Sequence, residues 1–168
     1  MAAITKDELI AQLQKEVRIL LHLASKIDRS QLDYRPTPKQ RSTIELLRYL
    51  MVMGPSLVRA IKTGTFDVER WQADAAKANA SNLDQVLTAI DAHGAEYATL
   101  LGSWSEADFR GPIEMFGRTA SRATFLMELV ICGCAAYRTQ LFLYLKACGR
   151  EELATSNLWQ GMDAPVAV

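Results

Sequence analysis

The sequence has few of the side chains that most often bind metals or carry acid–base catalysis. Among its 168 residues are two histidines, His22 and His93, and three cysteines, Cys132, Cys134 and Cys148. An odd number of cysteines gathered in one apolar segment argues against a disulfide framework. The sequence also lacks a glycine-rich phosphate loop and a nucleophile elbow, and a hydrolase triad would require one of the two histidines. The composition therefore gives no direct indication of an enzyme.

Charge of one sign is not in excess, because 19 basic and 19 acidic residues cancel. Without a net field to attract nucleic acid or anionic lipid, we expect neither nucleic acid nor a membrane as a partner. The uncharged run 129–137, like every other uncharged run in the chain, is shorter than the roughly 20 apolar residues that span a bilayer. Residues 1–10 lack the basic segment and apolar core of a signal peptide. These absences together predict a cytoplasmic protein.

Apolar residues recur at the three- and four-residue steps of amphipathic helices, and no segment has the convincing alternation of a strand. The pairs Thr5–Glu8 and Ser42–Glu45 have the spacing of capping boxes, which places a helix start after the first member of each pair. The four long helices predicted in this way are about Lys6–Ile27, Thr43–Lys62, Asn82–Leu101 and Ala123–Ala147. We therefore predict an all-α four-helix bundle with short extra helical pieces, in a single domain over 1–168 with a loose tail at 161–168.

The segments between and within these helices carry their own expectations. Gly54-Pro55 lies inside the second helix, and because proline removes a backbone hydrogen bond we expect a kink or break near Met53. Residues 65–80 are expected to form a less regular excursion, after which Ser81 caps the third helix. Residues 103–122 are predicted to be a connection with room for a short turn of helix.

The fourth helix carries the most informative pattern in the chain. Its first half is apolar nearly all round, so we expect it to be the most buried element. Its second half reads Tyr-Arg-Thr-Gln-Leu at 137–141 and Tyr-Leu-Lys at 144–146, and it ends at Gly149. A short helical piece is expected to follow at 151–155.

This pattern resembles the last long helix of the DinB-like (YfiT-like) proteins, which carry His-x-x-x-His-Arg-x-Gln and a downstream Tyr-Leu-Arg/Lys-x-x-Gly. The segment 42–50, Ser-Thr-Ile-Glu-Leu-Leu-Arg-Tyr-Leu, is similar to their second helix, and Asn-Leu-Trp at 157–159 also matches. The resemblance implies an up-down-down-up bundle, often dimeric, that holds a divalent metal with three histidines at one end. It also implies chemistry of the kind found in metal-dependent thiol transferases and isomerases.

The three histidine positions of that pattern fall on Tyr49, Gly133 and Tyr137, whereas Arg138 and Gln140 match it. A phenol, with a pKa near 10, is a poor zinc ligand at neutral pH. We therefore expect no metal or other cofactor; the alternative is a divalent metal such as zinc or nickel on unorthodox ligands. We call the region of Tyr49, Gly133 and Tyr137 the vestigial site, and two interpretations of it stay open. The two tyrosine rings fill the space of the missing metal, or they line a small pocket that Gly133 helps to leave open.

Arg138 follows an apolar stretch, so its charge needs a partner, and the candidates are Glu45, Glu128 and the backbone. Either it ties helices together or it holds an anionic ligand, which a guanidinium grips with two hydrogen bonds. Gln140 has the same two possible roles, a tie between helices or a contact with a ligand.

The remaining candidates are expected to be structural. His22 falls on a basic helix face and is predicted to be solvated or at an edge, and His93 is predicted to be half-buried and bonded to a neighbour. The cysteines are predicted to be buried small hydrophobes. The tryptophans fall in connections or the tail, where they are expected to cap the bundle ends or to make dimer contacts; they are Trp71, Trp104 and Trp159.

Three functional hypotheses follow. The first is a metal-free bundle protein, homodimeric, that binds a small molecule at the vestigial site. The second is a divergent metal-dependent hydrolase or thiol transferase or isomerase. The third is an interaction module that uses its apolar helices to pair with itself or with a partner.

Overall fold

The computed structural model describes residues 4–164 and shows a bundle of four long helices there. They are α1 Lys6–Ala24, α2 Thr43–Thr63, α4 Leu83–Gly102 and a last helix, Arg122–Ala147. The shorter elements are a 3₁₀ turn Arg29–Gln31, α3 Val68–Ala80, α5 Glu106–Arg110, β1 Pro112–Met115, β2 Arg118–Ser121 and α8 Thr155–Gln160. The predicted all-α bundle is confirmed.

Side-chain caps fix where the long helices begin. The predicted capping boxes Thr5–Glu8 and Ser42–Glu45 both form, and Gly64 ends α2 with a positive φ of 79°. The start of α4 differs by one residue from the prediction, because Asn82 and not Ser81 accepts the amide hydrogen of Gln85. The short polar side chains are therefore reliable markers of helix starts in this chain.

Contacts between helix ends define the topology. The Lys6 ammonium at the start of α1 donates to the Trp104 carbonyl just beyond α4, so these two helices are antiparallel. The Arg48 guanidinium near the start of α2 donates to the Ser81 carbonyl just before α4, so α2 and α4 are parallel.

The last helix completes the arrangement. The Tyr144 hydroxyl, near its end, donates to the carbonyl of Arg41 just before α2. The last helix therefore runs antiparallel to α2 and parallel to α1. The result is the up-down-down-up order that the resemblance implied.

Helix α2 continues unbroken through Gly54-Pro55, so the break considered for this position does not occur. Pro55 has no amide hydrogen for the carbonyl of Met51 one turn earlier. That carbonyl instead accepts a hydrogen bond from His93 Nε2 at 3.0 Å. A side chain of α4 thus replaces the missing backbone donor and helps the helix to continue past the proline.

Residues 68–80 form a regular helix, α3, and not the irregular excursion that was predicted. Asp67 caps it by accepting the amide hydrogen of Arg70 at 2.9 Å. Only Ala78 of this helix is buried, so its sequence carries little apolar periodicity. The prediction from periodicity failed for that reason.

The connection 103–122 contains the predicted helical turn, α5, and also an unpredicted antiparallel hairpin of β1 and β2. Pro112 pairs with Ser121 and Met115 with Arg118. The two residues at the tip, Phe116 and Gly117, both have positive φ. The hairpin went unpredicted because its strands are only four residues long.

The last helix was expected to be the most buried element, and this is wrong. Only 28% of the most apolar 18-residue stretch of this helix is buried. Cys132 is exposed, and Leu143 is 58% exposed. It also contains an unpredicted π-helical turn, Leu126–Ile131, between α6 Arg122–Phe125 and α7 Cys132–Ala147.

By length and composition alone, Arg122–Ala147 could also cross a membrane, although the sequence predicted no such segment. Helices in the cores of soluble bundles meet the same two criteria. In this fold the helix packs against α1 and α2.

The C-terminal segment is attached to the bundle. The helical piece predicted at 151–155 instead lies at Thr155–Gln160 as α8, which contacts α1. Asp163, within the predicted loose tail, forms a 2.7 Å ion pair with Lys26 of α1. The rest of that tail, 165–168, lies outside the described residues.

Candidate functional site

Tyr49 of α2 and Tyr137 of α7 meet across the bundle. Their ring centroids are 5.1 Å apart and the rings are inclined at 67°, an edge-to-face contact. Burial, together with the neighbouring Tyr137 hydroxyl, raises the pKa of Tyr49 to about 12. Tyr49 is therefore a neutral phenol at physiological pH and does not offer the phenolate that a divalent metal would need.

Gly133 lies one turn before Tyr137 and faces α2. A Cβ atom at this position would lie 3.4 Å from Cε and 3.6 Å from Sδ of Met53. The Met53 thioether thus lies against the place where a larger side chain would begin. Together the three positions of the vestigial site bring two aromatic rings, a glycine and a methionine into one region between α2 and α7.

Arg138 points to a different part of the bundle. Its Nε donates to Glu16 Oε2 of α1 at 2.6 Å, and Nη1 donates to the carbonyl of Leu158 in α8. Neither predicted side-chain partner is used, since Glu128 pairs with Arg118 and Glu45 with Arg35.

The sequence did contain an indication of the true partner of Arg138. Glu16 falls between Leu13 and Leu20 on the buried stripe of α1, which is an unusual place for a carboxylate. A charge in such a position requires a buried partner of opposite sign.

Gln140 also lies in a structural network and not at the tyrosine pair. Its side-chain amide donates to the Tyr144 hydroxyl, which donates to the Arg41 carbonyl at 2.9 Å. The network joins the last helix to the segment before α2. The five predicted site residues therefore divide into two groups: Tyr49, Gly133 and Tyr137 lie together, and Arg138 and Gln140 tie helices elsewhere.

A cleft of about 310 Å³ opens beside Tyr49 on the side of α3. The Arg41 guanidinium lies 4.0 Å from the centre of the Tyr49 ring, and the Trp71 ring approaches Tyr49 edge-on at 6.0 Å. The cleft is lined by Arg41, Glu45, Arg48, Tyr49, Val52, Trp71, Ala75, Ala78 and Asn79. An aromatic wall with two arginines at its edge can hold a small planar molecule that bears a negative charge.

The two histidines lie outside this cleft. His93 is 5% exposed and donates to the Met51 carbonyl, so it is bonded to a neighbour as predicted but is more deeply buried. His22 was predicted to be solvated or at an edge, yet it lies beneath the C-terminal segment, 3.0 Å from the Asn157 side-chain amide and 3.6 Å from Asp163.

The cysteines differ from one another in exposure. Cys134 is only partly buried and packs against the core, and burial raises the pKa of its thiol to about 12, so it is not a nucleophile at neutral pH. Burial also raises the pKa of Cys148, which is partly exposed. Cys132 is exposed, contrary to the prediction.

The tryptophans are not all in connections. Trp71 belongs to α3 and Trp159 to α8, whereas Trp104 lies in the connection after α4. Trp104 is buried and Trp159 is exposed beside the Arg138 guanidinium.

Among residues 4–164, no three histidine, cysteine, aspartate or glutamate side chains lie close enough together to hold a metal ion. The vestigial site itself brings together two phenols and a thioether.

Comparison with known proteins establishes the fold. No model of a protein family matches the sequence, and no curated protein matches it. Among solved structures, the chain is similar to a DinB-like protein, YjoA from Bacillus subtilis, with a TM-score of 0.67 and 19% sequence identity over 87% of this chain and 94% of that one. The chain therefore has the DinB-like fold, as the sequence pattern indicated.

Proposed function

We propose that this chain is a metal-independent DinB-like bundle protein that binds a small molecule in the cleft beside Tyr49 at the vestigial site. One observation carries the proposal: two aromatic side chains meet where the resemblance places metal ligands, and a cleft opens beside one of them, Tyr49. We further infer a cytoplasmic location, in keeping with the sequence.

The donors around the vestigial site support metal independence. Divalent zinc and nickel are held by imidazole, thiolate or carboxylate groups. With its pKa raised to about 12 by burial, Tyr49 is protonated at neutral pH, and the Met53 thioether is a weak, soft donor. The alternative, a divergent metal-dependent hydrolase or thiol transferase or isomerase, would have to recruit ligands from elsewhere.

The cleft favours a small carboxylate as the ligand. Arg41 lies over the Tyr49 ring at the edge of the cleft, and a guanidinium binds a carboxylate through two parallel hydrogen bonds. Arg48 uses Nε and Nη2 for the Ser81 carbonyl, so it supplies charge at a fixed position. A planar aromatic acid would combine both contacts, with its ring beside Trp71 and its carboxylate at Arg41.

Elemental analysis of protein purified without an affinity tag tests metal independence. We expect far less than one zinc or nickel per chain, and no change in melting temperature after dialysis against a chelator. A stoichiometric transition metal that stabilises the protein would contradict the proposal and support the metal-dependent alternative.

Calorimetric titration with benzoate and with benzamide tests the ligand class, because the two probes differ in charge but not in shape. We expect benzoate to bind more tightly, and the preference to disappear in Arg41→Ala. Equal binding of both probes to the wild type would refute a carboxylate site.

The exposed face of the last helix favours a second candidate role, self-association. Cys132, Ala136 and Leu143 are exposed and lie on one stripe of α7, which leaves an uncovered apolar surface. If this stripe forms a homodimer, light scattering will give twice the monomer mass, and Ala136→Glu will give a monomer. Ala95→Glu, at an exposed position of α4, is the matched control. A wild-type monomer at high concentration would exclude this role.

A further inference from the structure

A second, larger cavity lies between the end of α2, the start of α3 and the end of α4. Its volume is about 740 Å³, within the range of sites that bind small organic molecules. Ala60, Phe66, Val68, Trp71 and Leu100 supply its apolar walls. It is more than twice as large as the cleft beside Tyr49, which has about 310 Å³, and Trp71 lines both spaces.

Aromatic rings line the way from this cavity to the hairpin. Phe66 packs against Trp71 with centroids 5.6 Å apart, and Phe116 at the hairpin tip packs against Phe66 at 6.4 Å. Rings at such distances offer faces and edges on which another ring can stack. The walls therefore suit a ligand that contains an aromatic ring.

Two of the charged groups at the cavity edge, Arg59 and Lys62, already have close partners. Arg59 pairs with Glu96 and with Asp74, the latter at 3.2 Å. The Lys62 ammonium donates to the Leu100 carbonyl at 3.0 Å, near the end of α4, where the helix dipole is negative. A charged ligand would have to compete with these contacts or lose its own hydration, so an uncharged ligand fits better.

Phe116 provides an independent reason to assign function to this region. It has a positive φ of 53°, a conformation that favours glycine or asparagine, and its side chain is 63% exposed. A large apolar side chain at such a position is unfavourable both for the backbone and for solvation. Its one ring contact, with Phe66, extends the aromatic wall of the cavity outward.

We propose that this cavity binds an uncharged small molecule with an aromatic ring, held between Phe66 and Trp71 and bordered by Phe116. The site is separate from the carboxylate site proposed above and does not depend on it.

Calorimetric titration with 2-naphthol, uncharged at neutral pH, and with 2-naphthoate, its charged counterpart, tests the proposal. Both titrations use Arg41→Ala, in which the carboxylate site proposed above is disabled, and there we expect 2-naphthol to bind at least tenfold more tightly than 2-naphthoate. Phe116→Ser changes an exposed position at the hairpin tip, so the fold should persist, and we expect a three- to tenfold loss of 2-naphthol affinity. Phe66→Ala should cause a larger loss, with an unchanged circular dichroism spectrum as the check on folding.

Arg41→Ala separates the two proposed sites. It should leave 2-naphthol affinity unchanged while it abolishes the preference for benzoate over benzamide. The present proposal is overturned if 2-naphthol does not bind, if 2-naphthoate binds Arg41→Ala as tightly as 2-naphthol does, or if neither phenylalanine substitution weakens 2-naphthol binding. None of these results would bear on the carboxylate site, which the benzoate titration tests by itself.

Discussion

Arg138 and Glu16 form an ion pair whose two side chains are only 6% and 3% exposed. The pair joins the last helix to α1, and Arg138 holds α8 as well through the Leu158 carbonyl. Gln12 supports the carboxylate with a further hydrogen bond at 3.0 Å. Of the two roles open to Arg138 from the sequence, a tie between helices and a grip on an anionic ligand, this geometry supports the first.

Arg138→Met should destabilise the protein by about 3 kcal/mol, because it leaves the Glu16 carboxylate buried with a single neutral donor. Urea denaturation measures the free energy of unfolding. The double substitution Glu16→Met/Arg138→Met should recover a large part of the loss, since an apolar pair can replace a buried ion pair. Additive effects of the two single substitutions would show that the residues are not coupled.

Gly54→Ala should be destabilising by about 1–3 kcal/mol, although alanine is normally better than glycine inside a helix. A Cβ atom at position 54 would overlap the hydroxyl of Tyr97, which is buried and cannot move aside. Thermal and urea denaturation measure the effect.

Two variants test this explanation of Gly54. Tyr97→Phe removes the hydroxyl, so Gly54→Ala should cost clearly less in that background. Gly94→Ala is the matched control on α4, where the new Cβ would be 3.7 Å from Gln14 Cγ, an ordinary contact. We expect Gly94→Ala to be neutral or stabilising by up to about 1 kcal/mol. A similar loss at both glycines would rule out the contact with Tyr97 as the cause.

The sequence predicted the long helices well because their periodicity and caps are local. Thr5 and Ser42 mark helix starts through side chains that bond amides three residues away. The topology followed from the resemblance, and the similarity to YjoA supports the DinB-like fold. Two elements were missed: α3, which buries little apolar surface, and the β1–β2 hairpin, whose strands are only four residues long.

The site was harder to predict because its contacts are long-range. The meeting of Tyr49 and Tyr137 agrees with the pattern of the family, but the Met53 side chain against Gly133 depends on the register between α2 and α7. The partner of Arg138 lies 122 positions away in the sequence. The buried stripe of α1 marks Glu16 as a carboxylate in need of a buried cation, but local pattern does not pair it with Arg138 at such a separation.

Tyr137→Ala distinguishes a filled site from an open one. The Tyr137 ring packs edge-to-face on Tyr49, and with Met53 lying against Gly133 we expect a loss of about 2–4 kcal/mol in the free energy of unfolding. Tyr137→Phe, which keeps the ring, should cost less than about 1.5 kcal/mol. Little loss or a gain in Tyr137→Ala would indicate that the ring borders an open pocket.

His93 should make the protein less stable in mild acid. Burial lowers the pKa of His93 to about 4, below its ordinary value of 6.5. The unfolded chain therefore takes up a proton near pH 6.5 while the folded chain resists protonation. The contribution to stability is full above pH 6.5 and is lost as the pH falls towards 4, with about 2 kcal/mol lost between pH 7 and pH 5. Urea denaturation at the two pH values measures this loss.

His93→Gln should remove most of that pH dependence. Its side-chain amide can still donate to the Met51 carbonyl, which Pro55 leaves without a helical donor, but it does not titrate. Burial also lowers the pKa of His22, so His22→Gln is the matched control and should remove a smaller part of the loss. If His93→Gln loses as much stability as the wild type between pH 7 and pH 5, another group is responsible. If it is greatly destabilised already at pH 7, the glutamine does not replace the donor, and the bond to Met51 depends on the imidazole ring itself.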